Sequence, residues 1–171
     1  GNNLISSWNK SWIKLPRMIS QKLASIIKSK KDEVYVGSST SINLFKLIKS
    51  ILQSNKSIKN ISTDNLNFPS DKYICELIAK DFNIDFNFLD YGSDLMADIE
   101  QLKEFIKEKR GIIVLSHVAF KSSYRYPIKE ISKFCKDNNT IVIWDLSHSI
   151  GAVDINMGSV SYTHLTLPTN C

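Results

Sequence analysis

Two apolar runs, Gly111-Ile-Ile-Val-Leu-Ser116 and Thr140-Ile-Val-Ile-Trp-Asp145, constrain the fold of this chain more than any other feature. Neither alternates between apolar and polar residues, so a strand built from either has to be covered on both faces. Helices are the usual cover. Between the two runs lies Ile128 to Asp137, with Ile131, Phe134 and Cys135 at helical spacing. Strand, helix and strand in that order point to an α/β arrangement with a mainly parallel sheet.

The upstream sequence repeats the alternation. Pro16 suits the first turn of a helix running through Ser29, with Ile19, Leu23, Ile26 and Ile27 at helical spacing. Val34-Tyr35-Val36 reads as a short buried strand, and Gly37 to Ser41 as a small polar turn. Ile42 to Gln53 reads as an amphipathic helix with Ile42, Phe45, Ile48, Ile51 and Leu52 on one face. A weak strand follows at Ile58 to Thr63. Phe68-Pro69-Ser70-Asp71 then turns into a helix through Asp81, with Ile74, Leu77, Ile78 and Phe82 inward. Ile84 to Leu89 alternates as a half-buried strand, and Ala97 to Lys109 is a helix carrying Ile99, Leu102, Phe105 and Ile106. The expectation is a three-layer unit, a mainly parallel sheet with helices on both faces, without internal repeats or linkers.

Composition narrows the function classes. The net charge of +5 comes from scattered lysines, and Arg17, Arg110 and Arg125 are the arginines. Nucleic-acid readers lean on clustered Arg, so the charge reads as generic surface Lys and no nucleic-acid partner is expected. No apolar run approaches the roughly 20 residues of a membrane span, and the start lacks a signal-peptide pattern. Cys75, Cys135 and Cys171 form no C-x-x-C pair. The first two sit in apolar helical patterns, so a reduced, cytoplasmic compartment fits. All charged side chains lie in the first 154 residues, and Ile155 to Cys171 carries none. Ordinary composition yields such a gap about one time in a hundred. Val160 to Cys171 shows neither helical nor strand periodicity.

In parallel sheets, ligands bind beyond the carboxyl ends of the strands. After Val36 comes Gly37-Ser38-Ser39-Thr40-Ser41, opening a helix, an arrangement suited either to holding phosphate or to plain capping. Phe68 stands before Pro69 and is thereby held extended, so its ring can act as a stacking plate. Ser70 or Asp71 can equally cap the helix that follows. Ser116-His117 ends one buried strand, and Asp145-Leu146-Ser147-His148 ends the other. An acid there is costly unless it meets a cation or donors. A protonated ring nitrogen is one solution. A metal bound by Asp145 and His148 is another, which lacks a third ligand in register, so no metal is expected. His148 as a structural histidine stays open. Taken together, a phosphate cradle, an aromatic plate and an acid aimed at a ring nitrogen match the needs of pyridoxal phosphate.

The same segments resemble the kynureninase family, pyridoxal-phosphate enzymes of the aspartate-aminotransferase fold. The resemblance is carried by Ser7-Trp8-Asn9-Lys10 through Leu15-Pro16, Thr40-Ser41-Ile42-Asn43-Leu44, Phe68-Pro69-Ser70-Asp71, Leu115-Ser116-His117-Val118 and Trp144-Asp145-Leu146-Ser147-His148-Ser149-Ile150-Gly151. It covers about residues 4 to 157. It implies that Thr40 and Ser41 hold the cofactor phosphate, that Phe68 stacks on the pyridine ring within the Phe68-Pro69-Ser70-Asp71 turn, and that Asp71 supports the cofactor side. It further implies that Ser116 lies beside the cofactor, that Asp145 pairs with the pyridinium nitrogen, and that His148 completes the contacts at that edge. The implied reaction is hydrolysis of L-kynurenine, or 3-hydroxykynurenine, to anthranilate, or 3-hydroxyanthranilate, and L-alanine. That reaction belongs to tryptophan catabolism and NAD biosynthesis. The implied full-length assembly is a homodimer.

The sequence also departs from that family. Gly near Ser123 and Asn near Ala119 are replaced. The family's Schiff-base lysine, preceded by Tyr, falls a short way beyond the Asp-x-x-His strand, yet no Lys follows Lys136 here. Ser161 to Asn170 resembles translated sequencing-adapter read-through. The expectation is therefore a partial cofactor-binding large domain over residues 1–157 and a non-native tail over 158–171. The family's first segment and C-terminal domain are expected to be missing, the chain alone inactive, and sheet edges and apolar helix faces exposed. A cysteine desulfurase or aminotransferase-like enzyme is the alternative, and a non-enzymatic α/β binding domain is a second.

Overall fold

The computed structural model describes Trp8, residues 12–157 and the backbone of 164–166. It divides into two compact units, one of residues 1–37 with 155–159 and one of residues 38–154 with 160–171. In the first, a 3-10 turn at Trp12–Lys14 leads into α1, Leu15–Ile27, with Pro16 in its opening turn. The helix stops at Lys28, whose φ of 57° is left-handed. Its inward stripe is Ser20, Ala24 and Ile27, while Ile19 and Ile26 stay exposed. Both stripes have helical period, and the smaller residues are the ones a packed surface approaches closely. Val34-Tyr35-Val36 is not a strand, contrary to expectation, and the Tyr35 side chain is 74% exposed. A three-residue apolar run does not distinguish strand from coil without a neighbour to complete its backbone hydrogen bonds.

The second unit is the α/β layer expected. Its elements are α2 (Thr40–Ser54), β1 (Asn60–Asp64), α3 (Pro69–Phe82), β2 (Asp85–Leu89), α4 (Ile99–Glu108), β3 (Ile112–Ser116), α5 (Ile128–Asp137), β4 (Ile141–Asp145) and β5 (His164–Thr166). The strand order is β2-β1-β3-β4-β5, and every pairing is parallel. Side chains alternate between the two faces. Ile61, Ile112, Val114 and Ile143 face Leu44, Ile48 and Leu52 of α2 and Cys75, Ile78 and Ala79 of α3. Each such fully buried aliphatic side chain contributes about 1.5–3 kcal/mol. On the other face, the Trp144 indole donates to Ser132 Oγ of α5 at 3.0 Å. Lys103 of α4 bridges to Glu130 of α5 at 2.8 Å.

Two helices are rotated from the expected faces. In α2 the buried residues are Leu44, Ile48 and Leu52, and Ile42 is exposed. In α3 they are Asp71, Cys75, Ile78 and Ala79, and Leu77 is 52% exposed. The turn between α3 and β2 uses Asn83 at φ 52°. Gly111 is required where it stands: its φ is +151°, and a Cβ would lie 2.4 Å from the Asn60 carbonyl oxygen. His164–Thr166 pairs in parallel with Ile143–Asp145. An uncovered strand edge offers N–H and C=O groups that any backbone can complete. The rest of the 158–171 tail lies outside the described residues, as do Ser7, Asn9, Lys10 and Cys171. Among the described residues, no helix is long and apolar enough to cross a membrane.

Candidate active site

The carboxyl ends of β1, β3 and β4 bring Phe68, Asp71, Ser116, Asp145 and His148 to one end of the sheet. β4 ends in Asp145, and the parallel register sets it beside Ser116, the last residue of β3. Asp145 is buried. Its Oδ1 accepts hydrogen bonds from the Ser147 backbone N–H at 2.8 Å and from the Ser147 hydroxyl. This local turn fixes the carboxylate at the strand end.

Asp71 lies in the first turn of α3 on the face turned to the sheet and is 1% exposed. The Ser70 hydroxyl reaches its Oδ1 at a long 3.5 Å, and its Oδ2 is buried without a hydrogen-bond partner. Burial first, and then the charge of Asp145, push the Asp71 carboxyl up to about 7. A buried carboxyl next to a second acid resists ionisation unless a cation accompanies it, and that holds for Asp71. One turn further along α3, Cys75 is fully buried, and its thiol is driven far above the ordinary range by burial and then by Asp71. Burial also lifts the Cys135 thiol, to about 12. Neither is a nucleophile at neutral pH.

Phe68 precedes α3 with an extended backbone, φ −68° and ψ 138°, ahead of Pro69. Its ring is 40% exposed. It meets Phe120 edge-on at 5.1 Å between centroids and His148 at 6.3 Å. No side chain caps α3, so the capping reading of Ser70 and Asp71 does not apply. His148 is exposed rather than packed in the core, which removes the structural-histidine reading. Thr40 and Ser41 open α2, and Ser39 is the capping residue, its Oγ accepting from the Ile42 N–H at 3.2 Å. The capping duty thus falls one residue ahead of both. Because Val34–Val36 forms no strand, the two follow coil rather than a strand end.

Three residues that sequence reasoning passed over belong to this end. Asn67 joins β1 to Phe68, and Phe120 walls the ring of Phe68. Asp64, the last residue of β1, is buried and accepts from the Leu66 and Asn67 N–H groups and from the Tyr126 hydroxyl at 2.5 Å. Burial still pushes it up to about 6 against these donors. The signal that singled out Asp145, an acid at the end of a buried strand, applies equally to Asp64. The sequence masks it because the weak apolar pattern of Ile58 to Thr63 stops one residue short of it. His117 points to the opposite face from Ser116, its ring edge-on to Trp144 at 6.2 Å. Burial, and then Arg125, hold its pKa below the ordinary range. Among the described residues, no group of three or more His, Cys, Asp or Glu is placed to hold a metal ion.

Comparison with known proteins places this geometry in a family context. The family model described as aminotransferase class-V matches residues 2–162. The chain is 34% identical over 162 residues to a kynureninase of Pseudomonas fluorescens, covering 92% of this chain and 38% of that protein. It is 32% identical over 163 residues to a kynureninase of Burkholderia mallei, with the same coverage. The chain thus spans 38% of the length of these curated relatives. Among solved structures, a C-DES variant with glycine covalently linked to its PLP cofactor superposes with a TM-score of 0.82 at 16% identity, over 93% of this chain and 42% of that one. The apo cysteine desulfurase of Thermococcus onnurineus superposes with a TM-score of 0.76 at 20% identity, over 89% and 38%. At these identities the structural likeness carries the fold alone.

Proposed function

Because the chain belongs to the class-V aminotransferase family of pyridoxal-phosphate enzymes, we propose that it is part of a kynureninase-like hydrolase. The reaction proposed is cleavage of L-kynurenine or 3-hydroxykynurenine to anthranilate or 3-hydroxyanthranilate and L-alanine. Identity of 34% and 32% to kynureninases across 92% of the chain supports the reaction. The observation that carries the cofactor assignment is the buried Asp71 Oδ2, without a partner and next to Asp145. A protonated ring nitrogen brought to this acid pair supplies the positive charge it needs. The half-exposed face of Phe68 supplies a plate for a flat ring. The residues present therefore fit the cofactor.

In this reading, Asp145 would hold the protonated ring nitrogen, and Asp71 would support it. Phe68 is kept extended by Pro69, stacks on the ring, and is followed by Ser70 at the mouth. Thr40 and Ser41 take the phosphate at the positive end of α2. Ser116 and His148 line the two sides. When bound, the cofactor supplies an electron sink for the amino-acid substrate. We further propose that residues 1–157 are part of the cofactor-binding large domain, that 158–171 is a non-native tail, and that the full-length enzyme is a cytoplasmic homodimer. The partner molecule is the small amino-acid substrate, with no role for nucleic acid or membrane.

The test is an assay of the full-length gene product. Anthranilate should form from L-kynurenine with an equal amount of alanine. Release of sulfane sulfur and alanine from cysteine, without anthranilate, would replace this reading with a desulfurase.

A further inference from the structure

Asn67 follows β1, is 4% exposed, and has every polar group of its amide engaged. Oδ1 accepts from the Phe68 backbone N–H at 2.8 Å and from the Ser116 hydroxyl at 2.6 Å. Nδ2 donates to Thr63 Oγ1 at 2.9 Å and to the Val114 carbonyl at 3.2 Å. Thr63 in turn donates to the same carbonyl at 2.8 Å. The directions of these bonds are forced. A backbone N–H only donates and a carbonyl only accepts, so Phe68 and Val114 fix which end of the amide is oxygen. Ser116 must then donate, because the oxygen it meets can only accept.

The location of this network gives it a role beyond local order. The chain runs from β1 outward to β2 on one side and returns to β3 on the other, so the strand order reverses between β1 and β3. Such a reversal opens a crevice at the carboxyl ends, where ligands bind in sheets of this kind. The ladder between β1 and β3 joins Ile61 to Ile112 and Ser62 to Ile113. One step further on, the Val114 carbonyl is taken by the side chains of Thr63 and Asn67. Asn67 therefore spans the crevice and ties its two walls together.

We propose that Asn67 is a positioning residue that locks the Phe68 ring and the Ser116 hydroxyl into one rigid unit across this crevice. It also commits the Ser116 proton inward, so Ser116 meets a bound molecule only as an acceptor. This inference rests on the proposed cofactor for its ligand and on the hydrogen bonds alone for its geometry.

The test uses the 171-residue chain with pyridoxal phosphate as the probe. Binding is followed by tryptophan fluorescence quenching, beside amide hydrogen exchange at Phe68. Asn67→Ala should weaken binding about tenfold, the loss expected for a buried charge-free network, and should deprotect the Phe68 amide. Asn67→Asp retains oxygens that accept from the Phe68 N–H and the Ser116 hydroxyl, so it should keep more of the parent's affinity than Asn67→Ala does. Combining Asn67→Ala with Ser116→Ala should weaken binding no further than Asn67→Ala does, as required if Asn67 acts through Ser116.

Unchanged affinity in Asn67→Ala, or an equal loss in Asn67→Asp, overturns the proposal, as does a Phe68 amide that stays protected. If Asn67→Ala does not fold, Asn67→Ser, too short to reach Ser116, takes its place with the same expectations. If the parent chain itself fails to bind pyridoxal phosphate, the affinity measurements move to the corrected full-length protein, and Phe68 exchange in this chain still decides the positioning role.

Discussion

Asp71 is the residue at which site chemistry and fold stability pull against each other. In the chain without cofactor, its carboxyl is raised to about 7 and that of Asp64 to about 6, burial leading in both. An unfolded Asp titrates near 3.8. Between pH 4 and 7 these two groups therefore hold more protons in the folded chain than in the unfolded one, and their contribution to stability falls as pH rises. Asp71→Asn removes its share of that slope. The variant should be more stable than the parent at pH 8 by roughly 1–4 kcal/mol, given about 1.4 kcal/mol per pKa unit, and should lose the advantage below about pH 4. Urea unfolding at pH 4, 6 and 8 measures this, and parallel pH profiles for the two proteins would refute it. The cost is tolerable only if the carboxylate does something when a cation arrives, which is the reasoning behind its place in the proposed site. At this scale the sequence was informative where residues form contiguous motifs. Phe68, Asp71, Ser116 and Asp145 were readable because each stands at a strand or helix boundary with an unusual neighbour. Asn67 was not, because its four amide hydrogen bonds join residues as far as 49 positions away, a relation that no local pattern contains.

The elements were legible in type and order, less so in phase. In α2, residues Ile42, Leu44, Phe45, Leu47, Ile48, Ile51 and Leu52 cover most of the circumference. Period alone then leaves the buried side undetermined, and packing chose Leu44 over Ile42. In α3 the inward face is Cys75, Ile78 and Ala79, which carries Asp71 with it and leaves Leu77 outside. Alanine substitutions separate the two phases. Ile78→Ala should cost about 2–5 kcal/mol, as for a filled core site, and Leu77→Ala within about 0.5–1 kcal/mol. Comparable losses at both positions in chemical denaturation would mean the helix is rotated from the orientation described. Gly111 makes a second test, between elements. A methyl group there meets the Asn60 carbonyl at the start of β1, and the backbone conformation itself disfavours a side chain. Gly111→Ala should lower stability by about 1–3 kcal/mol and weaken amide protection at the amino ends of β1 and β3 first. An unchanged melting temperature would overturn the close approach.

For the whole molecule the decisive region is the charge-free stretch after Asp154. Backbone pairing of His164–Thr166 with β4 does not vouch for the side chains there, because strand addition completes N–H and C=O groups whatever the sequence. Composition does discriminate: 17 residues without a single charge follow 154 in which one in four is charged. Chemistry discriminates as well. The acid pair, the aromatic plate and the opening turn of α2 are all present, yet no lysine follows Lys136, and a Schiff-base enzyme needs one within reach of the site. A chain that keeps the costly buried acids of a cofactor site has reason to keep the lysine that uses them. Re-reading the coding DNA beyond the Met157 codon should therefore return charged sequence with a Tyr-Lys pair in place of the present tail. The corrected full-length protein, mixed with pyridoxal phosphate, reduced with borohydride and digested, should carry its label on that lysine at high occupancy. The 171-residue chain treated in the same way should show only scattered, partial labelling. A tail that re-reads unchanged, or one specific lysine labelled at high occupancy in the 171-residue chain, would overturn the assignment of residues 158–171 as non-native.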